Sequence, residues 1–266
     1  HPKTKQIWAL KHVMLADTEK DQRYLDQVSQ EYEISSKLDH PVIRKMHELC
    51  KERSGLFKVS ALGLVMELVD ATPLSEMPRP PMPQCVRVFL DVAHALQHMH
   101  ERGFVHADMK PLNILIADDG HVKVIDLGQA CKIGTKKDRV QGTLEFLAPE
   151  QAQNKVVNGK TDIFNLGATM YRTFSGRAVP PELRQYGGAE LGTFDSFVRP
   201  LTRAVAGFPA DLDELVRECI RCNPEQRPTT MRDVRDRLRE MGLALGTRCA
   251  GGKGRSAGFW RRCASA

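Results

Sequence analysis

The stretch HADMKPLNIL (106–115) holds a carboxylate, an ammonium group and a carboxamide in close succession, at Asp108, Lys110 and Asn113. A second carboxylate, Asp126, closes the run HVKVID. Residue types in this order suit phosphoryl transfer. A carboxylate orients the attacking hydroxyl and takes its proton, and a cation offsets the charge of the moving phosphoryl group. An amide oxygen with a second carboxylate makes a hard-oxygen set for magnesium. Asp108, Lys110 and the pair Asn113 and Asp126 supply these parts. The intervening segment, 114–125, reads as a hairpin turning on AlaAspAspGly (117–120), which would carry Asp126 back beside Asn113.

The elements that position these residues change character along the chain. IWALKHVML (7–15) alternates and is rich in β-formers, so it reads as a strand. Residues 22–38 carry Leu25, Val28, Tyr32, Ser35 and Leu38 at broken helical spacing, and HisPro at 40–41 stops the helix. Residues 46–50 and 57–68 read as further strands, the second interrupted by Gly63. Residues 69–84 are rich in proline and read as a linker between two lobes. Helical spacing then dominates over 84–101, 161–175, 211–222 and 229–242, with 121–128 as a short strand between.

A chain of 266 residues with 41% hydrophobic content can bury the core of one large domain or two lobes. No apolar run reaches the length of a membrane span, and the amino terminus does not resemble a signal peptide, so a soluble, cytoplasmic protein is expected. The net charge of +6 is concentrated in Arg248, Lys253, Arg255, Arg261 and Arg262, which leaves the rest of the chain nearly neutral. Seven scattered cysteines suggest reduced thiols rather than a disulfide framework. Cys219 and Cys222 form one CxxC with no second ligand pair, and Cys219 reads as a core residue. PRPPMP (78–83) reads as a rigid connector rather than a polyproline ligand. His94 and His98 stand four apart with His100 following, but no further residue completes a metal site.

Together the segments resemble the eukaryotic-type (Hanks-type) serine/threonine protein kinases. HADMKPLNIL is similar to the catalytic loop of that family and IDLG (125–128) to its magnesium-binding motif. GTLEFLAPE (142–150) resembles the end of the activation segment, and TDIFNLG (161–167) the start of the large helix of the second lobe. NPEQRPT (223–229) resembles the segment whose arginine, here Arg227, pairs with the glutamate of APE, here Glu150. Upstream, WALK (8–11) resembles the strand carrying the ATP-binding lysine, here Lys11. EYEISSKLDHP (31–41) resembles the helix carrying its partner, here Glu31. LVMELV (64–69) resembles the last strand of the first lobe and the hinge, with Met66 in the gatekeeper place.

The resemblance spans residues 5–242. It implies an α+β, two-lobed fold: a partial β-rich lobe over 1–70, a larger, mainly helical lobe over 71–245, and a basic tail without fixed structure over 246–266. The implied activity is transfer of the γ-phosphoryl group of Mg-ATP to Ser or Thr hydroxyls of protein substrates, with ATP and Mg2+ bound and no nucleic acid. The resemblance implies Asp108, Lys110 and Asn113 as catalytic residues, and Asn113 and Asp126 as metal ligands. It implies Ala9, Lys11, Glu31, Met66, Glu67, Val69, Leu115 and Asp126 around the nucleotide, and Thr143, Glu150, Asp162 and Arg227 as supports of the activation segment. Lys110 and Thr143 match the serine/threonine subgroup, where both contact the catalytic aspartate. The APEQ ending and the short activation segment resemble bacterial relatives.

Three departures from the family pattern stand out. No glycine-rich loop precedes Lys11, so the first two strands are expected upstream of this chain or not at all. Ala107 replaces the arginine that anchors an activation-segment phosphate, so the usual phosphorylation switch is not expected, although Thr135 lies among basic residues. Ser35 falls where an apolar residue packs onto the magnesium-binding motif, which would weaken packing between the lobes. Cys131 reads as a small inert residue rather than a modifiable thiol. The missing loop supports an alternative, a pseudokinase or scaffold without efficient turnover. The full set of polar residues from 108 to 126 supports the enzyme. Nucleic-acid binding would rest on the tail charges alone.

Overall fold

The computed structural model describes residues 6–14, 19–54, 58–137, 139–180 and 198–246. The fold is α+β with two lobes. In the first, β1 (Trp8–Met14) and β2 (Met46–Ser54) pair antiparallel with the two sides of β3 (Lys58–Glu67), in the order β1-β3-β2. Helix α1 (Glu19–Ser35) packs on this sheet, where Val28 joins Leu62, Leu64 and Met66 in a small apolar core. The helix starts and stops three residues before the 22–38 read from the sequence. Beyond Ser35 the chain continues in single turns, with Lys37 N donating to Ile34 O and Leu38 N to Ser35 O, yet Leu38 stays buried in the larger core.

Residues 69–84 are less of a linker than their prolines suggest. β4 (Thr72–Pro73) pairs with β6 (Ile114–Ile116), and β6 with β7 (Val122–Val124). Helix α2 already begins at Met82 and runs to Glu101, because Pro83 sits in its first turn, where a missing N–H costs nothing. The lobes also meet through main-chain bonds, with Val124 N donating to Val42 O and Arg44 N to Val124 O.

The second lobe stacks helices around α4 (Gly159–Ser175). β5 (Phe104–Val105) pairs with β8 (Cys131–Lys132), and α3 (Pro149–Ala152) leads toward α4. The short α5 (Leu201–Ala204), α6 (Ala210–Cys219) and α7 (Met231–Ala244) complete the lobe. Gly167 lets α6 approach α4, since a Cβ there would lie 2.5 Å from Cys219 Cβ. Cys219 is buried in the core, and α6 ends there rather than at 222. The core joins Phe89 and Leu96 of α2, Ile114 of β6, Phe164 of α4 and Val234 of α7. Each large apolar side chain so buried contributes about 1.5–3 kcal/mol. No helix among the described residues is long and apolar enough to cross a membrane.

Candidate active site

The loop after β5 is held from below by α4. Asp162, in the first turn of that helix, is fully buried. Its Oδ1 accepts from Ala107 N at 2.8 Å, and its Oδ2 accepts from His106 N at 2.9 Å and faces His100 Nε2 at 2.8 Å. Burial pushes the Asp162 carboxyl up, but the hydrogen bond and charge of His100 and the contacts of His106 hold it below its ordinary value. Gln151 of α3 donates to Ala107 O at 2.8 Å. These bonds fix Ala107 at φ 59°, a left-handed conformation that costs an L-residue roughly 1–2 kcal/mol.

The turned backbone presents Asp108. Its Oδ2 accepts from Lys110 Nζ at 2.7 Å and its Oδ1 from Thr143 N at 3.0 Å, while Lys110 Nζ also donates to Thr143 Oγ1 at 2.7 Å. The carboxylate is therefore oriented by a cation and by the activation segment together. Asp108 N donates to His106 Nδ1 at 3.3 Å, so the ring proton belongs on Nε2, which faces Ile125 O at 3.3 Å.

Asn113 closes a single 3-10 turn, Pro111–Asn113, and donates through Nδ2 to Asp108 O at 2.9 Å, which leaves its amide oxygen for another partner. The hairpin of β6 and β7 turns at Ala117–Gly120, where Gly120 N donates to Ala117 O, and Ile125 N returns to Asn113 O at 3.0 Å. Asp126 follows at φ 63°, exposed, its Oδ1 accepting from Gly128 N at 3.2 Å. An amide oxygen and an exposed carboxylate at the two ends of one hairpin fit magnesium, which keeps waters and takes few protein oxygens. Among the described residues no cluster of three His, Cys, Asp or Glu side chains competes for a metal.

On the first lobe Lys11 of β1 reaches Glu31 of α1 at 2.9 Å. Burial pushes the Glu31 carboxyl above its ordinary value against the pull of Lys11, and the charge of Asp126 adds to the rise. Ser35 is buried, and polar contacts tie α1 to the segment after Asp126, with Gln30 Nε2 donating to Ala130 O at 2.8 Å. Ala9 pairs with Met66 across β1 and β3, and Leu115 lies in β6 between Pro73 and Lys123. Glu67 is heavily engaged. Its carbonyl accepts from Arg44 Nε at 2.9 Å, and its carboxylate meets Lys123 Nζ at 2.7 Å and accepts from Lys45 N at 3.1 Å. Among the described residues no hydrogen bond occupies the main chain of Val69.

The activation segment is anchored at its far end by Glu150, which takes a two-pronged ion pair from Arg227 at 2.8 and 2.9 Å with both residues buried. Burial pushes the Glu150 carboxyl up, and the hydrogen bonds and charge of Arg227 hold it below its ordinary value. The middle of the segment is held by its own side chains and main chain. Thr135 Oγ1 donates to Lys132 O at 2.7 Å, and Val157 N donates to Thr135 O. Lys137, its ammonium pKa lowered by burial, donates to Gln129 O at 2.6 Å. Ala107 packs with Val105, Cys131 and Val157, so apolar contact joins catalytic loop and segment where an arginine would have made a charged one. Cys131 is buried, and burial pushes its thiol up, away from the thiolate form that reacts.

Several supports were not read from the sequence. His100 serves Asp162 rather than a metal. Gln151, Asn165 and Thr169 hold the loop and segment: Asn165 Nδ2 donates to Phe146 O at 2.6 Å, and Thr169 Oγ1 faces Met109 O at 3.2 Å. The signal was present as a polar stripe, Thr161, Asn165 and Thr169, spaced four apart on an otherwise apolar helix.

The family model for the protein kinase domain matches residues 1–238. The chain is 31% identical over 240 residues to the serine/threonine-protein kinase PknB of Mycobacterium leprae, covering 84% of this chain and 37% of that protein. It is 30% identical over 238 residues to the PknB of Mycobacterium tuberculosis, with the same coverage of 84% and 37%. A probable serine/threonine-protein kinase of Corynebacterium efficiens is 33% identical over 180 residues, 64% of this chain and 26% of that protein. The chain therefore spans little more than a third of the length of the first two relatives.

Proposed function

Because this chain belongs to the protein kinase domain family, we propose that it transfers the γ-phosphoryl group of Mg-ATP to serine or threonine hydroxyls of protein substrates. The observation that carries this reading is the Asp108 carboxylate, held between Lys110 Nζ and Thr143 N. In that grip Asp108 orients the acceptor hydroxyl and takes its proton as the phosphoryl group arrives. Lys110 offsets negative charge beside it. Lys11, fixed by Glu31, would meet the nucleotide phosphates, and the main chain of Val69 would offer hydrogen bonds to the base. Asn113 and Asp126 would hold magnesium, which when bound neutralises phosphate oxygens. The names of the relatives, serine/threonine-protein kinases, support the same activity. The free state of every described cysteine supports a cytoplasmic setting. Incubating the chain with γ-labelled ATP, magnesium and a protein rich in Ser and Thr should yield phosphoserine or phosphothreonine. No labelled product at any magnesium concentration, with nucleotide bound, would refute the reading.

A further inference from the structure

A cavity of about 480 Å3 opens beside the catalytic loop. Lys110 and Thr143, which grip Asp108, line one part of it, and Arg79, Arg172 and Gly176 another. Leu112, between Lys110 and Asn113, also lines it and is 50% exposed, an apolar side chain left open beside charged neighbours.

The two arginines converge on Gly176, the left-handed residue that caps α4. Arg172 Nη1 donates to Gly176 O at 2.7 Å, and Arg79 Nη2 lies 3.3 Å from where a Cβ on Gly176 would stand. The negative end of α4 accounts for Arg172 being there. It does not account for Arg79, which comes from the segment before α2, is exposed, and makes no hydrogen bond or ion pair among the described residues. No carboxylate among the described residues pairs with either guanidinium. Among the described residues the one carboxylate lining the cavity, Glu145, follows Thr143 on the turn Leu144–Phe146. Two like charges left together beside a phosphoryl-transfer site are complementary to an anion on whatever occupies the groove.

We infer that this groove receives the substrate segment carrying the acceptor hydroxyl, and that Arg79 and Arg172 select a carboxylate side chain on it. Leu112 takes an apolar neighbour of that carboxylate. The inference rests on the phosphoryl-transfer reading and narrows its substrates to acidic segments. The selection is electrostatic and largely exposed, so it weakens as salt rises.

The test measures binding and turnover separately. Fluorescently labelled nonapeptides with a central serine and leucine neighbours carry either Glu or Lys on both flanks, and their anisotropy is followed with wild type, Arg79→Glu and the Arg79→Glu, Arg172→Glu double variant. Wild type should bind the Glu peptide about tenfold more tightly than the Lys peptide, the size two exposed ion pairs supply together. Arg79→Glu should shrink that preference and the double variant should reverse it, with melting curves unchanged for Arg79→Glu. Equal binding of both peptides by wild type, no binding of either, or a preference that survives charge reversal would each overturn the inference. Phosphorylation of the same peptides separates the two readings. A Glu peptide bound selectively but never phosphorylated contradicts the transfer reading and leaves the groove standing. Both peptides phosphorylated at equal rates contradicts the groove and leaves the transfer reading.

Discussion

An L-residue held at positive φ costs roughly 1–2 kcal/mol, and the site holds two of them, Ala107 at 59° and Asp126 at 63°. Each turns the chain beside a chemical group: Ala107 immediately before Asp108, and Asp126 at its own carboxylate. Asp162 and Gln151 hold the first in place through its amide and carbonyl. Asp126 is held through its neighbours, and among the described residues its side chain makes one bond, to Gly128 N. That difference gives a prediction at this scale. Asp126→Ala should abolish magnesium-dependent nucleotide binding, measured by calorimetry with and without magnesium, while moving the ligand-free melting temperature little. A large loss of ligand-free stability with nucleotide affinity kept would make Asp126 a structural acid. The residues proposed to carry the chemistry stand out in the sequence because each role needs a particular functional group. Gln151, Asn165 and Thr169 were not read as supports: the polar stripe marks Asn165 and Thr169 as one face of α4, but what that face or Gln151 of α3 holds is known only once the helices are packed.

At the scale of elements, the activation segment is anchored at several places, among them the pairing of β8 with β5, the contacts of Val157, the bonds of Thr143 to Asp108 and Lys110, and the Glu150–Arg227 pair. Removing one partner of a buried ion pair strands the other charge, so Arg227→Met should cost about 3–5 kcal/mol in denaturant unfolding. Adding Glu150→Gln should recover part of that loss, and a cost below about 1 kcal/mol would contradict the account. The Glu150 carboxyl is held below its ordinary value, here 4.5, by Arg227. The pair's contribution is therefore complete above that value and disappears as pH falls through the lower value Glu150 has in the fold. Arg227→Met should accordingly be less sensitive to acid over that window. Thr135 is bonded to Lys132 and Ala107 presents only a methyl group, so we propose that the middle of the segment orders without a phosphate. Thr135→Ala should change initial rates by less than about threefold, roughly 0.7 kcal/mol. A fall of two orders of magnitude would mean that a phosphate at Thr135 is required. Element boundaries were less legible than element types. The prolines of 69–84 read as a linker, but Pro83 lies in the first turn of α2, and the broken helical spacing over 22–38 placed both ends of α1 three residues late.

On the scale of the whole molecule, one apolar core joins α2, the β6–β7 hairpin, α4, α6 and α7, and the catalytic groups sit at its edge. Its closure is testable through thiols. Burial pushes Cys85 and Cys219 up to about 12, so neither holds thiolate at neutral pH in the folded state. Alkylation of these two, followed by peptide mass spectrometry, should proceed only as fast as the second lobe unfolds, and rapid labelling under native conditions would show a looser core. The alternation of strands followed by helices made the two-lobed order legible, because a period of two and a period of 3.6 differ in any long segment. That Lys110 and Thr143 meet at Asp108 was legible through the family resemblance, whereas the direct bond from Lys110 Nζ to Thr143 Oγ1, thirty-three residues away, depends on the path of the whole segment. The central claim is that Asp108 is the group that orients and deprotonates the acceptor. The measurement that tests it most directly compares wild type with Asp108→Asn for γ-phosphoryl transfer and for Mg-ATP affinity in the same preparations. Transfer should fall by on the order of 100- to 10,000-fold with nucleotide affinity and melting temperature preserved, whereas transfer at the wild-type rate would contradict the account.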